Sequence, residues 1–194
     1  DVVDKAYVDS FGMPMGPFAL MDEVGLDVCA KVLKIFKKAF GERIEISPIM
    51  EKLLTAGRLG RKNSKGFYLY DATGKRLETD STVYEDLGLS SPTDPYEEKE
   101  CIERGVFSMI NECSLALNQD RIVETPHEVD LAMIMGTGFP PFRGGLLKYA
   151  DSLGANYIAD QLELYSSQRK AARLKPAAPL RDMAKNEKTF YSKS

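Results

Sequence analysis

Apolar residues recur at helical spacing along most of this chain, and turns rich in glycine and proline interrupt them. Val28, Val32, Ile35, Phe36 and Ala39 repeat every three or four positions, predicting a helix from about Asp27 with Gly41 as its C-terminal cap. Ser47-Pro48 reads as an N-cap with Pro at the first helical position. Met50, Leu53 and Leu54 give that short helix its apolar face, and Gly57 ends it. Ile102, Val106, Met109, Ile110, Cys113 and Leu117 trace one stripe, predicting a long helix over roughly 95–117. Thr125-Pro126-His127-Glu128 has the form of a capping box, opening a helix that Gly136 ends. Ile158, Leu162 and Tyr165 predict a further helix from about Ala155, and Pro179 starts a last short one. Residues 1–8 read as the end of a helix, and Phe67-Tyr68-Leu69-Tyr70 as a short extended segment. From 71 to 94 the pattern turns polar, with Gly74, Gly88 and Pro92, and reads as a linker or surface excursion.

The pattern occurs twice. Val3-Asp4-Lys5-Ala6 leads into Phe11-Gly12-Met13-Pro14-Met15-Gly16-Pro17-Phe18, and Val129-Asp130-Leu131-Ala132 leads into Gly138-Phe139-Pro140-Pro141-Phe142-Arg143-Gly144-Gly145. Asn63-Ser64-Lys65-Gly66-Phe67-Tyr68 is echoed by Asn186-Glu187-Lys188-Thr189-Phe190-Tyr191. The expected fold is mainly α: two like helical-bundle units, 1–70 and 95–194, joined by a linker over 71–94. Setting Val3 on Val129 places Asp1 on His127, so the long helix that leads the second unit has no counterpart in the first. The chain starts at Asp1 rather than Met. The expectation is an excised or processed segment whose missing helix leaves its seat exposed, or filled by another chain.

Length and composition suit one ordinary domain or two small packed ones: 194 residues, 43% hydrophobic and 28% charged. A net charge of -3 gives no case for nucleic acid or an anionic membrane. No apolar run approaches a membrane span, and no signal peptide is visible. Three cysteines, Cys29, Cys101 and Cys113, without a CxxC, read as reduced thiols.

Few residues invite chemistry. Neither GxGxxG after a strand nor a P-loop occurs, so no nucleotide site is signalled. The loop Gly57–Gly66 carries Arg58, Arg61, Lys62 and Lys65, a candidate phosphate cradle or a solvated basic turn. His127, the one histidine, lies in a capped first turn, which argues against hydrolytic triads and metal sites. Asp22 aligns with Asp151 of the second copy, which favours a structural role over acid–base work. Met13-Pro14-Met15-Gly16 occurs in one copy alone, and its adaptable methionines suit a flexible ligand chain or a turn packed between helices. Asn111, mid-helix where asparagine is disfavoured, implies a specific hydrogen bond.

Phe11–Phe18, Gly57–Tyr68 and Gly138–Gly145 together resemble the C-terminal region of L-3-hydroxyacyl-CoA dehydrogenases. The duplicated form, with Asn111-Glu112 and Tyr149–Gly154, is most similar to the multifunctional fatty acid oxidation complex alpha subunits. That resemblance implies a parent with an enoyl-CoA hydratase domain and an NAD-binding Rossmann domain that oxidises 3-hydroxyacyl-CoA to 3-ketoacyl-CoA. The catalytic histidine–glutamate pair belongs to the Rossmann domain, and the family's substrate-binding asparagine to the helix missing here. No catalytic, cofactor or metal residue is therefore assigned to this chain. Met13, Pro14, Met15, Gly16 and Phe18 are the residues expected to wall the acyl site. Implied partners are acyl-CoA, the upstream domains, a thiolase subunit and a second copy. The implied location is cytoplasmic in a bacterium, or mitochondrial or peroxisomal otherwise. The rival readings are a free-standing helical interaction module and an acyl-CoA binding protein.

Overall fold

The computed structural model describes residues 1–90 and 97–191, so the predicted second-unit start at Pro95 and the last part of the 71–94 linker lie outside the described residues. The chain divides into two compact units. One comprises Asp1–Lys5 with Met15–Tyr96, the other Ala6–Pro14 with Glu97–Ser194. The mainly helical prediction holds: ten α-helices and one two-stranded sheet are described.

In the first unit, α1 (Val2–Lys5) carries the buried Asp4. Any helix leaves its first amides without internal partners, and α2 (Pro17–Val24) passes two of them to this carboxylate. Phe18 and Ala19 N–H donate to Asp4 at 2.9 and 2.8 Å. The negative charge also meets the positive end of the helix dipole. Tyr68 Oη donates to the same group at 2.8 Å. Gly16 is required by this approach, because a Cβ there would run into Asp4. The chain continues through α3 (Leu26–Phe40) and α4 (Ile49–Thr55). Strand β1 (Tyr68–Tyr70) then pairs antiparallel with β2 (Arg76–Thr79), and α5 (Thr82–Leu87) follows. Leu26, Met50, Leu53, Val83 and Leu87 form the core, with Cys29, Ala30 and Leu33 of α3 packed against it.

Two features depart from the sequence reading. The polar stretch from 71 to 90, expected as a linker, folds into β2 and α5 and supplies Val83 and Leu87 to the core. Its anchor is Arg58, fully buried and bonded to Asp80 and Asp86. Helix α3 forms as predicted, but the stripe that predicted it points away from the core. Val28, Val32, Phe36 and Phe40 are exposed, and Ile35 is 63% exposed.

The second unit repeats the same devices. Its helices are α6 (Glu98–Asn118), α7 (Pro126–Thr137), α8 (Leu146–Leu153), α9 (Ala155–Gln168) and α10 (Ala178–Lys185). Asp130 takes the amides of Leu147 and Lys148 at the start of α8, at 2.6 and 3.1 Å, and Tyr191 Oη at 2.7 Å. Both halves of the Thr125–Glu128 capping box are present. The helix runs on past Gly136 and ends at Gly138, whose φ of 70° suits glycine. Residues 1–8, expected as the end of a helix, are α-helical only to Lys5, and a π-helix follows over Ala6–Phe11. Tyr7 sits against Gly105, where α6 has no room for a Cβ.

Many tyrosines are held in their neutral form. Burial, then the nearby Cys101, pushes Tyr7 up to about 12. Burial and the hydrogen bonds to Asp4 and Asp130 raise Tyr68 and Tyr191. Unfolded tyrosines ionise near pH 10. Because the folded values lie higher, the stability these phenols contribute is complete below about pH 10 and is lost as pH rises through the folded values. Helical circular dichroism and phenolate absorbance are expected to change together above about pH 10. Phenolate formation with the helical signal intact would contradict this.

Candidate functional site

The turn from Met13 to Phe18 runs across the division between the two units. Met13 is half-buried and Met15 is 40% exposed. Pro14 lies against Gly138, where an added Cβ would come within 2.7 Å of the proline ring. Gly16 is buried on Asp4, so it contributes close backbone approach rather than a surface. The Phe18 ring packs on Phe67 with centroids 4.6 Å apart. Within this turn Pro14 and Met15 are exposed, and Met13 and Phe18 are half-buried.

The basic loop is not a free cation cluster. Arg58 is enclosed: Nε donates to Asp86 at 2.7 Å, Nη1 to Asp80 at 2.8 Å and to the Gly66 carbonyl at 2.7 Å, and Nη2 to Thr82 at 2.7 Å. Arg61 pairs with Glu23 at 2.6 Å, and Lys62 pairs with Asp27. Three of its four cations are thus matched by the unit's own carboxylates.

Asp22 is fully buried and accepts from Phe67 N–H (2.9 Å), Tyr68 N–H (3.0 Å) and Tyr70 Oη (3.0 Å). Burial raises its carboxyl above the ordinary value, against these three opposing bonds. Asp151 does the same for the amides of Phe190 and Tyr191, at 2.8 and 2.9 Å. The pair recognised from the repeat ties a helix to the Phe-Tyr segment of its own copy, which enters strand β1 in the first and is a bend in the second. Asn111 is likewise structural: Nδ2 donates to the Lys175 carbonyl at 3.1 Å, and Oδ1 accepts from Ala177 N–H at 2.7 Å. His127 is exposed and sets its ring edgewise to Tyr191, 4.8 Å between centroids. All three cysteines are free thiols. Burial lifts Cys113 to about 11, which leaves it a poor nucleophile at neutral pH. Among the described residues, no group of three His, Cys, Asp or Glu is placed to hold a metal, and no helix is long and apolar enough to cross a membrane.

One buried cluster was missed by sequence reasoning. Glu103, inside α6, accepts from Tyr157 Oη at 2.5 Å and Tyr165 Oη at 2.6 Å, both on α9. An acid set within the apolar stripe of α6, and two tyrosines two turns apart on α9, were the available signals. The repeat places Val28 and Phe36 of α3 where α9 has Tyr157 and Tyr165. The face of α9 that α6 covers thus corresponds to the face of α3 that is exposed.

The family model for the 3-hydroxyacyl-CoA dehydrogenase C-terminal domain matches residues 1–70. The fatty acid oxidation complex subunit alpha of Shewanella halifaxensis is 45% identical over 98% of this chain and 26% of the relative. That of Shewanella amazonensis is 45% identical over 98% of the chain and 27% of the relative. The chain thus spans about a quarter of the length of these relatives. The crystal structure of 3-hydroxybutyryl-CoA dehydrogenase from Escherichia coli shares the fold. Its TM-score is 0.69 at 22% identity, over 96% of this chain and 54% of that one. The dehydrogenase part of multifunctional enzyme 1 from C. elegans matches with a TM-score of 0.63 at 26% identity, over 93% of this chain and 41% of that one. Residues 1–70 belong to the 3-hydroxyacyl-CoA dehydrogenase C-terminal family, and nearly the whole chain is similar to about one quarter of fatty acid oxidation complex alpha subunits.

Proposed function

We propose that this chain works as the C-terminal helical region of a multifunctional β-oxidation enzyme that oxidises 3-hydroxyacyl-CoA to 3-ketoacyl-CoA with NAD. The observation that carries the reading is the alignment of 98% of the chain with one quarter of a fatty acid oxidation complex alpha subunit. Met13, Pro14, Met15 and Phe18 wall the acyl side of the substrate cleft, and Gly16 lets that wall pass close to Asp4. The exposed stripe of α3 receives a long amphipathic helix of the parent, as α9 receives α6. Acyl-CoA, an enoyl-CoA hydratase domain and a thiolase subunit are the partners in this reading, and bacterial relatives make a cytoplasmic location part of it.

The residues of this chain do not fit a dinucleotide. A dinucleotide crevice needs a parallel βαβ unit with a glycine-rich first turn. The described strands form an antiparallel hairpin, and no GxGxxG follows a strand. In this reading NAD chemistry lies with another domain of the parent, and the role of this chain is to bind and orient. The isolated chain is expected to show no reduction of acetoacetyl-CoA by NADH, followed as loss of NADH absorbance. Turnover above the buffer rate would overturn the supporting role. The exposed α3 stripe also favours a second reading, a non-enzymatic interaction module. A parent polypeptide lacking dehydrogenase activity would favour it.

A further inference from the structure

We propose that the second unit holds a binding pocket, separate from the Met13–Phe18 turn, for an aromatic ring that carries one phosphate or carboxylate. The pocket is a largely open depression of ≈ 600 Å³, a volume in the size range of small-molecule sites. Phe11, Ile102, Tyr149, Leu153 and Tyr157 give it apolar and aromatic walls, and Arg143 and Lys99 supply cations.

Arg143 is the informative residue. Its guanidinium lies 4.2 Å from the Phe11 ring centroid, 5.1 Å from Tyr149 and 5.2 Å from Phe142. Nε donates to the Phe11 carbonyl at 3.0 Å, and Nη2 to the Ser10 carbonyl at 3.5 Å. It is half-buried, and no carboxylate among the described residues pairs with it. A guanidinium taken partly out of water, with donors to spare and no counter-ion, is a ready partner for a planar or tetrahedral oxyanion.

Lys99 adds a second cation, 5.6 Å over the Tyr157 ring. Among the described residues its ion pair is with Glu103, 3.9 Å away, whose two oxygens are already bonded by Tyr157 and Tyr165. Glu98 also lines the pocket, but it stands in the first turn of α6, where the helix dipole favours it. The unmatched charge is therefore Arg143, and of the rings lining the pocket Tyr149 and Tyr157 are only partly buried, leaving aromatic surface for a ligand ring.

Two features that differ between the copies meet here. The Phe139–Gly145 turn supplies Arg143, for which the Met13–Phe18 turn has no arginine. The π-helix supplies Ser10 and Phe11, whereas the corresponding part of the second copy is ordinary α-helix. Single π-turns are concentrated at functional sites. A pocket built from what the two halves do not share is where a task beyond the common architecture fits.

The test uses 1-naphthyl phosphate and 1-naphthoate as the phosphate and carboxylate probes, with 1-naphthol and inorganic phosphate as the separate halves. Binding is followed by amide chemical shifts of this chain. The expected result is shifts at Ser10, Phe11, Ile102 and Tyr157 with either or both acidic probes, the tighter one identifying the acid. Each half alone binds at least about tenfold more weakly, the scale of one lost charge-assisted interaction. Arg143→Gln and Lys99→Gln each weaken the acidic probe several-fold. Lys99 is largely exposed, so its variant decides the matter if Arg143→Gln fails to fold. Shifts confined to the α3 stripe, naphthol binding as tightly as its acids, or affinity unchanged in Lys99→Gln would overturn the proposal.

Discussion

Replacing Asp22 with alanine is expected to destabilise the protein by about 3–5 kcal/mol, lowering the melting temperature by about 10 °C or more. Three donors converge on this fully buried carboxylate, from Phe67, Tyr68 and Tyr70. Alanine leaves all three without an acceptor in a space closed to water, and each stranded donor costs about 1–3 kcal/mol. The relief of no longer burying a carboxylate offsets part of this, which keeps the total below the simple sum. The loss is local: β1 detaches from α2, so amide exchange at Phe67 and Tyr68 accelerates before the rest of the unit. The matching Asp151→Ala change is expected to cost less, because Asp151 is half-buried and takes two described donors. Thermal melts of the two variants compare them directly. Equal losses, or a loss below about 1 kcal/mol for Asp22→Ala, would contradict the account.

Arg58→Met is expected to cost a similar amount, about 3–5 kcal/mol, for a different reason. The guanidinium has no solvent exposure and holds Asp80 at 2.8 Å and Asp86 at 2.7 Å. Desolvation pushes the Asp80 carboxyl up, yet bonds from Thr82 and Arg58 outweigh it and hold the group below its ordinary value. Methionine fills much of the volume but leaves Asp80 ionised, buried and without its cation. Removing the stranded charge as well, in Arg58→Met with Asp80→Asn, is expected to recover part of the loss, since a buried ion pair is worth little against neutral groups of similar shape. Chemical denaturation of the single and double variants measures this. A double variant no more stable than Arg58→Met would show that Asp80 is not where the cost arises.

How much of this could be read from the sequence depended on distance along the chain. The Thr125–Glu128 box was legible because side chain and backbone partners lie three positions apart. The structural role of Asp22 was legible because the repeat offered Asp151 beside it. The fold of 71–90 was not, because the residue that organises it, Arg58, sits 22 positions before Asp80 and 28 before Asp86. Helix α3 carries apolar residues on more than one face. Spacing alone did not say that Leu26, Cys29, Ala30 and Leu33 turn inward while Val28, Val32 and Phe36 turn out. The basic loop looked like a phosphate cradle because its acidic partners, Glu23 and Asp27, lie on other elements. Glu103 and its tyrosines are 54 and 62 positions apart, beyond any local pattern.

The most direct measurement of the central claim is a chimera. The matching quarter of the Shewanella halifaxensis alpha subunit is replaced by this chain, to which it is 45% identical, and oxidation of 3-hydroxyacyl-CoA with NAD is followed. If this chain is the helical region of such an enzyme, the chimera turns over substrate at a rate within about tenfold of its parent, a barrier difference near 1.4 kcal/mol. Met13→Ala with Met15→Ala in the chimera then raises KM for the acyl-CoA. A folded chimera with no dehydrogenase activity would contradict the account.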